Sequence, residues 1–262
     1  MALTRRQRAR LVRGAAIVVP LVAAAALVVT ADWAHIQRAF FQPDIAADLF
    51  PEIVTVGVKN TVIITSLAFG GGIVIGLTLA LMRLSSFPVY RWVATAYIEV
   101  FRGIPALVTL ILVGFTVPIA LGFRVPGRYG AAGVGLAIVA GAYMAETIRA
   151  GIQAVPKGQT EAARSLGMSP GRAMVSIVIP QAFRIIIPPL TNELVLLLKD
   201  SSLVYVLGTT AETIELSKYG RDAVSKSFNG TPITVVAALY LVITLPLTRL
   251  AAWLERRGGS AR

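Results

Sequence analysis

Eight side chains able to carry charge or make strong hydrogen bonds fall inside otherwise apolar runs: Glu99, Arg102, Tyr143, Glu146, Asn192, Glu193, Lys199 and Asp200. A charge at membrane depth costs at least ~2.5 kcal/mol on insertion scales, so several in one bundle need partners or water. Glu99 and Arg102 stand three apart on one helical face, which suits mutual neutralisation, and Tyr143 and Glu146 share a face in the same way. Asn192 with Lys199, and Glu193 with Asp200, are each seven apart and define two adjacent stripes of one helix. Two disruptions lie beside these groups: Arg102-Gly103-Ile104-Pro105 interrupts one apolar run and Pro188-Pro189 another. A proline inside a span frees carbonyls, and such breaks are tolerated where protein or a wet cavity re-satisfies the backbone. The plain reading of each break is a structural kink; the functional one is a polar path, because solute sites in membrane proteins lie at such breaks. Tyr143, Glu146, Asn192 and Glu193 are assigned to that path, with Gly103, Pro105, Pro188 and Pro189 as its structural breaks. Lys199 and Asp200, close to a helix end, belong either to the path or to the membrane interface.

A different chemistry is written in the polar segment from Pro156 to Pro170, lodged between two apolar runs. Thr160 is placed to cap a helix whose early Glu161 suits the positive end of its dipole. Ala162 and Ala163 give that helix a flat, small face, Arg164 follows, and Gly167 supplies a left-handed stop. Ser169 and Pro170 read as the cap and first residue of the next helix. A solvated loop needs no such succession of cap, small face and stop; a helix presented to a soluble partner does.

The elements that must position these groups follow from composition. The chain of 262 residues is 56% hydrophobic, with a mean hydropathy of +0.74. Apolar runs near 20 residues match a bilayer core of ~30 Å. The fold class expected is an all-α membrane bundle of about six transmembrane helices with a short cytoplasmic helix. Residues 1–54 hold a basic segment, a first helix over Gly14 to Thr30, and an external interfacial stretch rich in Asp, Glu and aromatics. That apolar run is long for a secretory signal, so an uncleaved helix is expected. Further spans are expected at about 55–82, 92–118, 131–151, 179–207 and 232–252, within a core of 55–252, before a tail of 253–262. Gly72, Gly76 and Ala80, and Ala137, Gly141 and Ala145, recur every four residues, a spacing that lets helices approach closely in lipid.

The net charge of +12 does not indicate nucleic acid, since the basic residues are spread through loops. With both ends inside, sixteen cations fall on internal segments: Arg5, Arg6, Arg8, Arg10, Arg13, Arg83, Arg91, Arg149, Lys157, Arg164, Arg172, Arg184, Arg249, Arg256, Arg257 and Arg262. Seven are external: Arg38, Lys59, Arg124, Arg128, Lys218, Arg221 and Lys226. That asymmetry places both termini and the 156–170 segment in the cytoplasm. Cysteine is absent and His35 is the only histidine, so no metal cluster or His-based triad can be assembled. Gly70-Gly71-Gly72 is not followed by Lys-Ser/Thr, and the chain carries no Walker A pattern.

Taken together, Glu161-Ala162-Ala163, Gly167, Ile177 and Ile179-Pro180 resemble the EAA loop of bacterial ABC importer permeases, with Ile179 where the family usually has Leu. The blocks Ala145-Glu146, Val155-Pro156-Lys157-Gly158-Gln159, Leu166-Gly167-Met168, Pro180-Gln181-Ala182, Pro188-Pro189, Asn192-Glu193 and Lys199-Asp200-Ser201-Ser202-Leu203 are similar to its polar-amino-acid uptake branch. Phe101-Arg102-Gly103-Ile104-Pro105 is similar to that branch's FRG-Thr-Pro segment, with Ile in place of Thr. The likeness covers about 55–252, with its coupling loop at about 156–180. It implies a five-helix permease core in the cell membrane and no catalytic residues in this chain. ATP and Mg would be bound by a cytoplasmic ATPase dimer docking on Thr160, Glu161, Ala162, Ala163, Arg164 and Gly167. A second permease subunit (itself or a similar chain), an external solute-binding protein and an amino-acid substrate complete the implied assembly. Carboxylates in the path suit either a cationic side chain or a zwitterion's ammonium. The alternative class is an ion-driven carrier or channel with Glu99, Glu146 or Glu193 as proton relay; it leaves the polar helix without a role.

Overall fold

The computed structural model describes residues 5–123, 125–208 and 210–259, and only the backbone of 6–13 and 258–259. The side chains of Arg6, Arg8, Arg10 and Arg13, and Arg124 and Arg262, all counted in the charge asymmetry, lie outside the described residues. Among those described there is no β-strand. In order, the helices are α1 (Arg5–Thr30), α2 (Trp33–Phe40), α3 (Pro43–Asp48), α4 (Ile53–Leu84), α5 (Pro88–Gly103) and α6 (Ala106–Leu121). They continue with α7 (Gly130–Gln153), α8 (Lys157–Ser165), α9 (Pro170–Leu207), α10 (Leu216–Ser227) and α11 (Thr231–Gly259).

Four of these, α4, α7, α9 and α11, are long and apolar enough to cross a membrane singly. Two more spans arise if each bent pair counts as one: α1 with α2–α3, bent by 77°, and α5 with α6, bent by 107°. The expected six is therefore reached, with two of the six broken. At the first bend Asp32 accepts from the His35 backbone N–H and caps α2. The Ala39 carbonyl accepts from Gly230 N, and the Thr231 hydroxyl accepts from Gln42 N, so the α2–α3 segment is stitched to the start of α11.

Inside the bundle α4 and α7 lie almost backbone to backbone. A Cβ at Gly76 would stand 2.8 Å from Met144 Cβ and 3.2 Å from the Gly141 carbonyl, closer than real side chains approach. The four-residue spacing of small residues produces this contact, since lipid offers no competing hydrophobic drive and van der Waals packing decides. Ile64, Ala68, Leu110, Leu136, Met144, Leu197 and Val204 fill the centre between α4, α6, α7 and α9.

The double proline is a correction. Pro188 and Pro189 lie within the continuous helix Ile179–Asp200 and do not break it. They remove the N–H groups that would meet the Arg184 and Ile185 carbonyls, but Pro188 and Ile186 are buried among neighbouring spans. Packing overrides local propensity here. The helix also starts earlier than expected, at Pro170, through a π-helical turn at Met174–Val178, and ends in a 3-10 segment, Ser201–Leu207.

Candidate solute path and coupling helix

The α5–α6 break is a product of its local sequence. Pro105 disfavours the helical conformation in the residue before it, and Ile104 is extended (φ −92°, ψ 133°). The chain turns at Gly103-Ile104-Pro105 and α6 restarts at Ala106. Tyr97 holds the first arm in place: its hydroxyl donates to the Ile138 carbonyl of α7 at 3.0 Å, and its ring packs on Phe101 at 4.5 Å.

Beside this turn opens a cavity of about 420 Å³ whose walls include Arg102, Pro105, Tyr143, Glu193, Leu197 and Asp200. The Arg102 guanidinium lies 5.4 Å from the centre of the Tyr143 ring, a cation–π arrangement. Glu193 is within Coulombic reach of both Asp200 and Arg102. Among the described residues, none of Arg102, Glu193 and Asp200 makes an ion pair within 4.0 Å or a side-chain hydrogen bond. Three charges thus face one cavity with their donors and acceptors uncommitted.

Other residues expected near this path are elsewhere. Glu146 accepts from Arg83 Nη1 at 3.2 Å and from Arg149 Nη2 at 2.7 Å. Arg149 also donates to Gln153 Oε1 at 2.6 Å. Glu146 therefore closes an ion-pair cluster between α4 and the end of α7 near α8, and does not line the cavity. Asn192 donates to Glu255 Oε1 of α11 at 3.0 Å, exposed and outside the cavity. Lys199 is exposed and outside it too. The two stripes on α9 thus separate, Glu193 and Asp200 on the cavity side and Asn192 and Lys199 on the other. Glu99 is exposed and makes no ion pair with Arg102, so the mutual neutralisation expected from their spacing does not form. Arg83 was not singled out by sequence: it sits 63 residues from Glu146, and no local spacing announces the pair.

The polar segment 156–170 is largely as its punctuation indicates, apart from its start. The helix begins at Lys157, after Pro156 at the N-cap, so Thr160 lies inside it and caps nothing. Proline at the cap fixes the entry, and no side chain satisfies the first N–H groups. The exit is a Schellman turn: Gly167 has φ +83°, Met168 N donates to the Ala163 carbonyl and Gly167 N to that of Arg164. Ser169 accepts from Arg172 N and caps the next helix. Ala163 is buried, while Glu161, Ala162 and Arg164 are exposed and Leu166 is 86% exposed. Gln181 of α9 reaches Gln159 of α8 at 3.4 Å, fixing the helix to the span that follows.

On the far side of the bundle, Glu215 is fully buried and caps α10, accepting from Ser217 N and Lys218 N, both at 2.6 Å. Burial pushes its carboxyl up to about 7, against these two hydrogen bonds, which favour the charged form. Among the described residues no group of His, Cys, Asp and Glu could hold a metal ion.

Residues 72–258 match the family described as the binding-protein-dependent transport system inner membrane component. The probable glutamine ABC transporter permease protein GlnM of Bacillus subtilis (strain 168) is 41% identical over 206 residues, covering 77% of this chain and 91% of that protein. The arginine transport system permease protein ArtQ of the same organism is 37% identical over 187 residues, covering 71% and 83%. Among solved structures, an amino acid ABC transporter crystallised with histidines gives a TM-score of 0.72 at 40% identity, covering 80% of this chain and 96% of its own. Fold, broken span and family match converge: this chain belongs to the binding-protein-dependent transport system inner membrane components, the membrane-spanning permeases of ABC importers.

Proposed function

We propose that this chain is the translocation subunit of an ATP-driven importer of a polar amino acid, working beside a second permease subunit, itself or a similar chain. In this reading both termini face the cytoplasm, an external solute-binding protein delivers the amino acid, and a pair of cytoplasmic ATPase subunits binds ATP and Mg. ATP closes the ATPase pair, α8 moves with it, and the spans rock between outward and inward states. Glu161, Ala162, Arg164 and Leu166 offer the ATPase a small face with an apolar tip; Thr160 belongs to the same helix, and Gly167 holds its exit. The observation that carries the solute-path reading is the cavity at the broken span, with Arg102, Glu193 and Asp200 uncommitted and Tyr143 beside them. Arg102 can meet a carboxylate, and the acids an ammonium. Glu146, paired with two arginines, is a positioning group in this scheme.

The chain has no cysteine, so a single Leu166→Cys carries the only thiol. In proteoliposomes holding the full complex, it is expected to cross-link to the ATPase subunit, and Gly167→Val to leave an inserted protein with uncoupled hydrolysis. Normal ATP-driven uptake by Gly167→Val would remove the docking role. Reporters fused after Gly158 and after Lys218 are expected on opposite sides of the membrane; finding both on one side would overturn the topology.

A further inference from the structure

The last span carries a stripe of its own, away from the cavity. Along α11 every fourth residue from Leu241 is exposed: Leu241, Leu245, Arg249, Trp253 and Arg257. The opposite face, with Thr244 and Ala251, is buried against the bundle. From Thr231 to Thr248 the helix has no charged side chain. That run is about 27 Å long, against a hydrocarbon core of ~30 Å. Arg249 is the first charge after it, so it stands where hydrocarbon gives way to headgroups. Trp253 follows about 6 Å further along the axis, at the depth where amphipathic rings sit. The one acid of α11, Glu255, accepts from Asn192 of α9 at 3.0 Å, which leaves the stripe without a carboxylate.

Two guanidiniums flank that ring. Arg257 starts one turn beyond Trp253, and helical side chains lean back toward the N-terminus, here toward the membrane. Its guanidinium accordingly lies 4.0 Å from the centre of the Trp253 ring. Arg249 stands one turn to the membrane side of the same ring. Among the described residues neither arginine makes an ion pair within 4.0 Å or a side-chain hydrogen bond. Stacking occupies a face of the Arg257 fork and leaves the N–H donors on its edge open. Two sets of open donors therefore bracket headgroup depth, where a lipid phosphate lies, and the exposed Leu241 and Leu245 continue the stripe along the acyl chains. A zwitterionic headgroup brings its own ammonium, which two arginines repel; an anionic headgroup brings the phosphate without one.

We propose that the end of α11 holds an anionic phospholipid, Arg249 and Arg257 taking its phosphate and Trp253 seating it at the interface. The chain has three tryptophans, Trp33, Trp92 and Trp253, so Trp33→Phe with Trp92→Phe leaves a single fluorescent reporter inside the site. The test places this full chain in phosphatidylcholine nanodiscs and adds acyl-brominated phosphatidylglycerol or acyl-brominated phosphatidylcholine, whose bromines quench a tryptophan they touch. Phosphatidylglycerol is expected to be favoured at Trp253 by about tenfold, from two arginines at the membrane surface. Arg249→Gln and Arg257→Gln are each expected to lower that preference to about threefold, and together to abolish it, at an unchanged melting temperature. Arg91→Gln, on α5, is expected to leave it unchanged; an equal fall there would assign the preference to overall positive charge and overturn the site. Equal quenching by the two lipids with the stripe intact would overturn it as well. Relief of quenching by inorganic phosphate, beyond that of chloride at the same ionic strength, would replace the lipid by free phosphate and overturn the proposal. Should the double variant fail to insert, native mass spectrometry of the unaltered chain decides, by whether phosphatidylglycerol or phosphatidylcholine is carried from an equal mixture.

Discussion

Glu146 and Glu193 are both carboxylates set in long apolar helices, and their surroundings could hardly differ more. Glu146 has an arginine on each oxygen, one from α4 and one a turn along α7. Glu193 has no direct partner and faces a cavity with another acid and a single arginine. Insertion cost is answered structurally in the first case and left for water or solute to answer in the second. Neutralised charge fixes geometry: the Glu146 cluster ties α4 to α7 where α7 leads into α8. Uncompensated charge at the cavity is what the proposed solute path rests on. Glu215 is a third solution, buried and held by backbone amides at the start of α10.

That third solution gives the largest predicted effect. The Glu215 carboxyl moves from an ordinary 4.5 to about 7, so the folded protein holds its proton more tightly than the unfolded chain does. The resulting stability is fully present below pH 4.5 and is lost as pH rises through 7. Between those limits it amounts to about 3 kcal/mol, at 1.36 kcal/mol per unit. Glu215→Gln imitates the protonated side chain. The variant is expected to lose that pH dependence and to be more stable than the parent at pH above 7. Melting curves of both proteins across this range check it; identical slopes would show that burial does not control this group.

Next comes the contrast itself. Glu146→Gln leaves Arg83 and Arg149 facing each other without their shared counter-charge. Full burial would put the loss at 3–5 kcal/mol; with roughly a quarter of each side chain exposed, about 2 kcal/mol is expected. Glu193→Gln is expected to alter stability by less than about 0.5 kcal/mol, since it breaks no pair. Thermal unfolding of the two variants side by side reads the difference. Equal losses would erase the distinction between a structural and a path carboxylate.

The sequence made much of this legible, for identifiable reasons. The α5–α6 break follows from the restriction proline places on Ile104, and the Gly167 exit from the freedom only glycine has at φ +83°. Glu193 and Asp200 share a stripe because seven residues make two turns. What failed was anything set by tertiary partners. Asn192 and Glu193 are adjacent, and only the packing of α9 against α11 decides which of the two lines the cavity. Pro188 and Pro189 look like a break until neighbouring helices are seen to hold the strand of backbone straight enough to continue. Arg149 stands three residues from Glu146, within one helical turn, whereas Arg83 is 63 residues away, where no local spacing can announce it.

Within the Glu146 cluster the two arginines are unequal, which sharpens the comparison on a smaller scale. Arg149 approaches more closely, 2.7 Å against 3.2 Å, and is itself braced by Gln153. Its Nε is buried without a partner, so the contact to Glu146 is its main compensation. A double-mutant cycle is expected to give a coupling of about 1 kcal/mol for Arg149 with Glu146 and about half that for Arg83. The reverse order would mean that the link between spans, and not the link within α7, holds the carboxylate.

The smallest effect is expected at Asn192, and it tests the comparison from the other side. Asn192 neighbours Glu193 in sequence, yet its amide donates to the Glu255 carboxylate on α11 and lies outside the cavity. If lining the cavity is what defines the path, Asn192→Ala should leave uptake kinetics unchanged while Glu193→Gln does not. Its hydrogen bond is exposed, where water replaces the lost partner, so the stability change should be a few tenths of a kcal/mol. Transport assays on the two variants in the same proteoliposome preparation compare adjacent residues on adjacent stripes, which removes differences in expression or insertion between distant sites. A several-fold fall in uptake for Asn192→Ala, with melting unchanged, would extend the path around α9 toward α11. The uncommitted charges at the break would then be only part of what the solute meets.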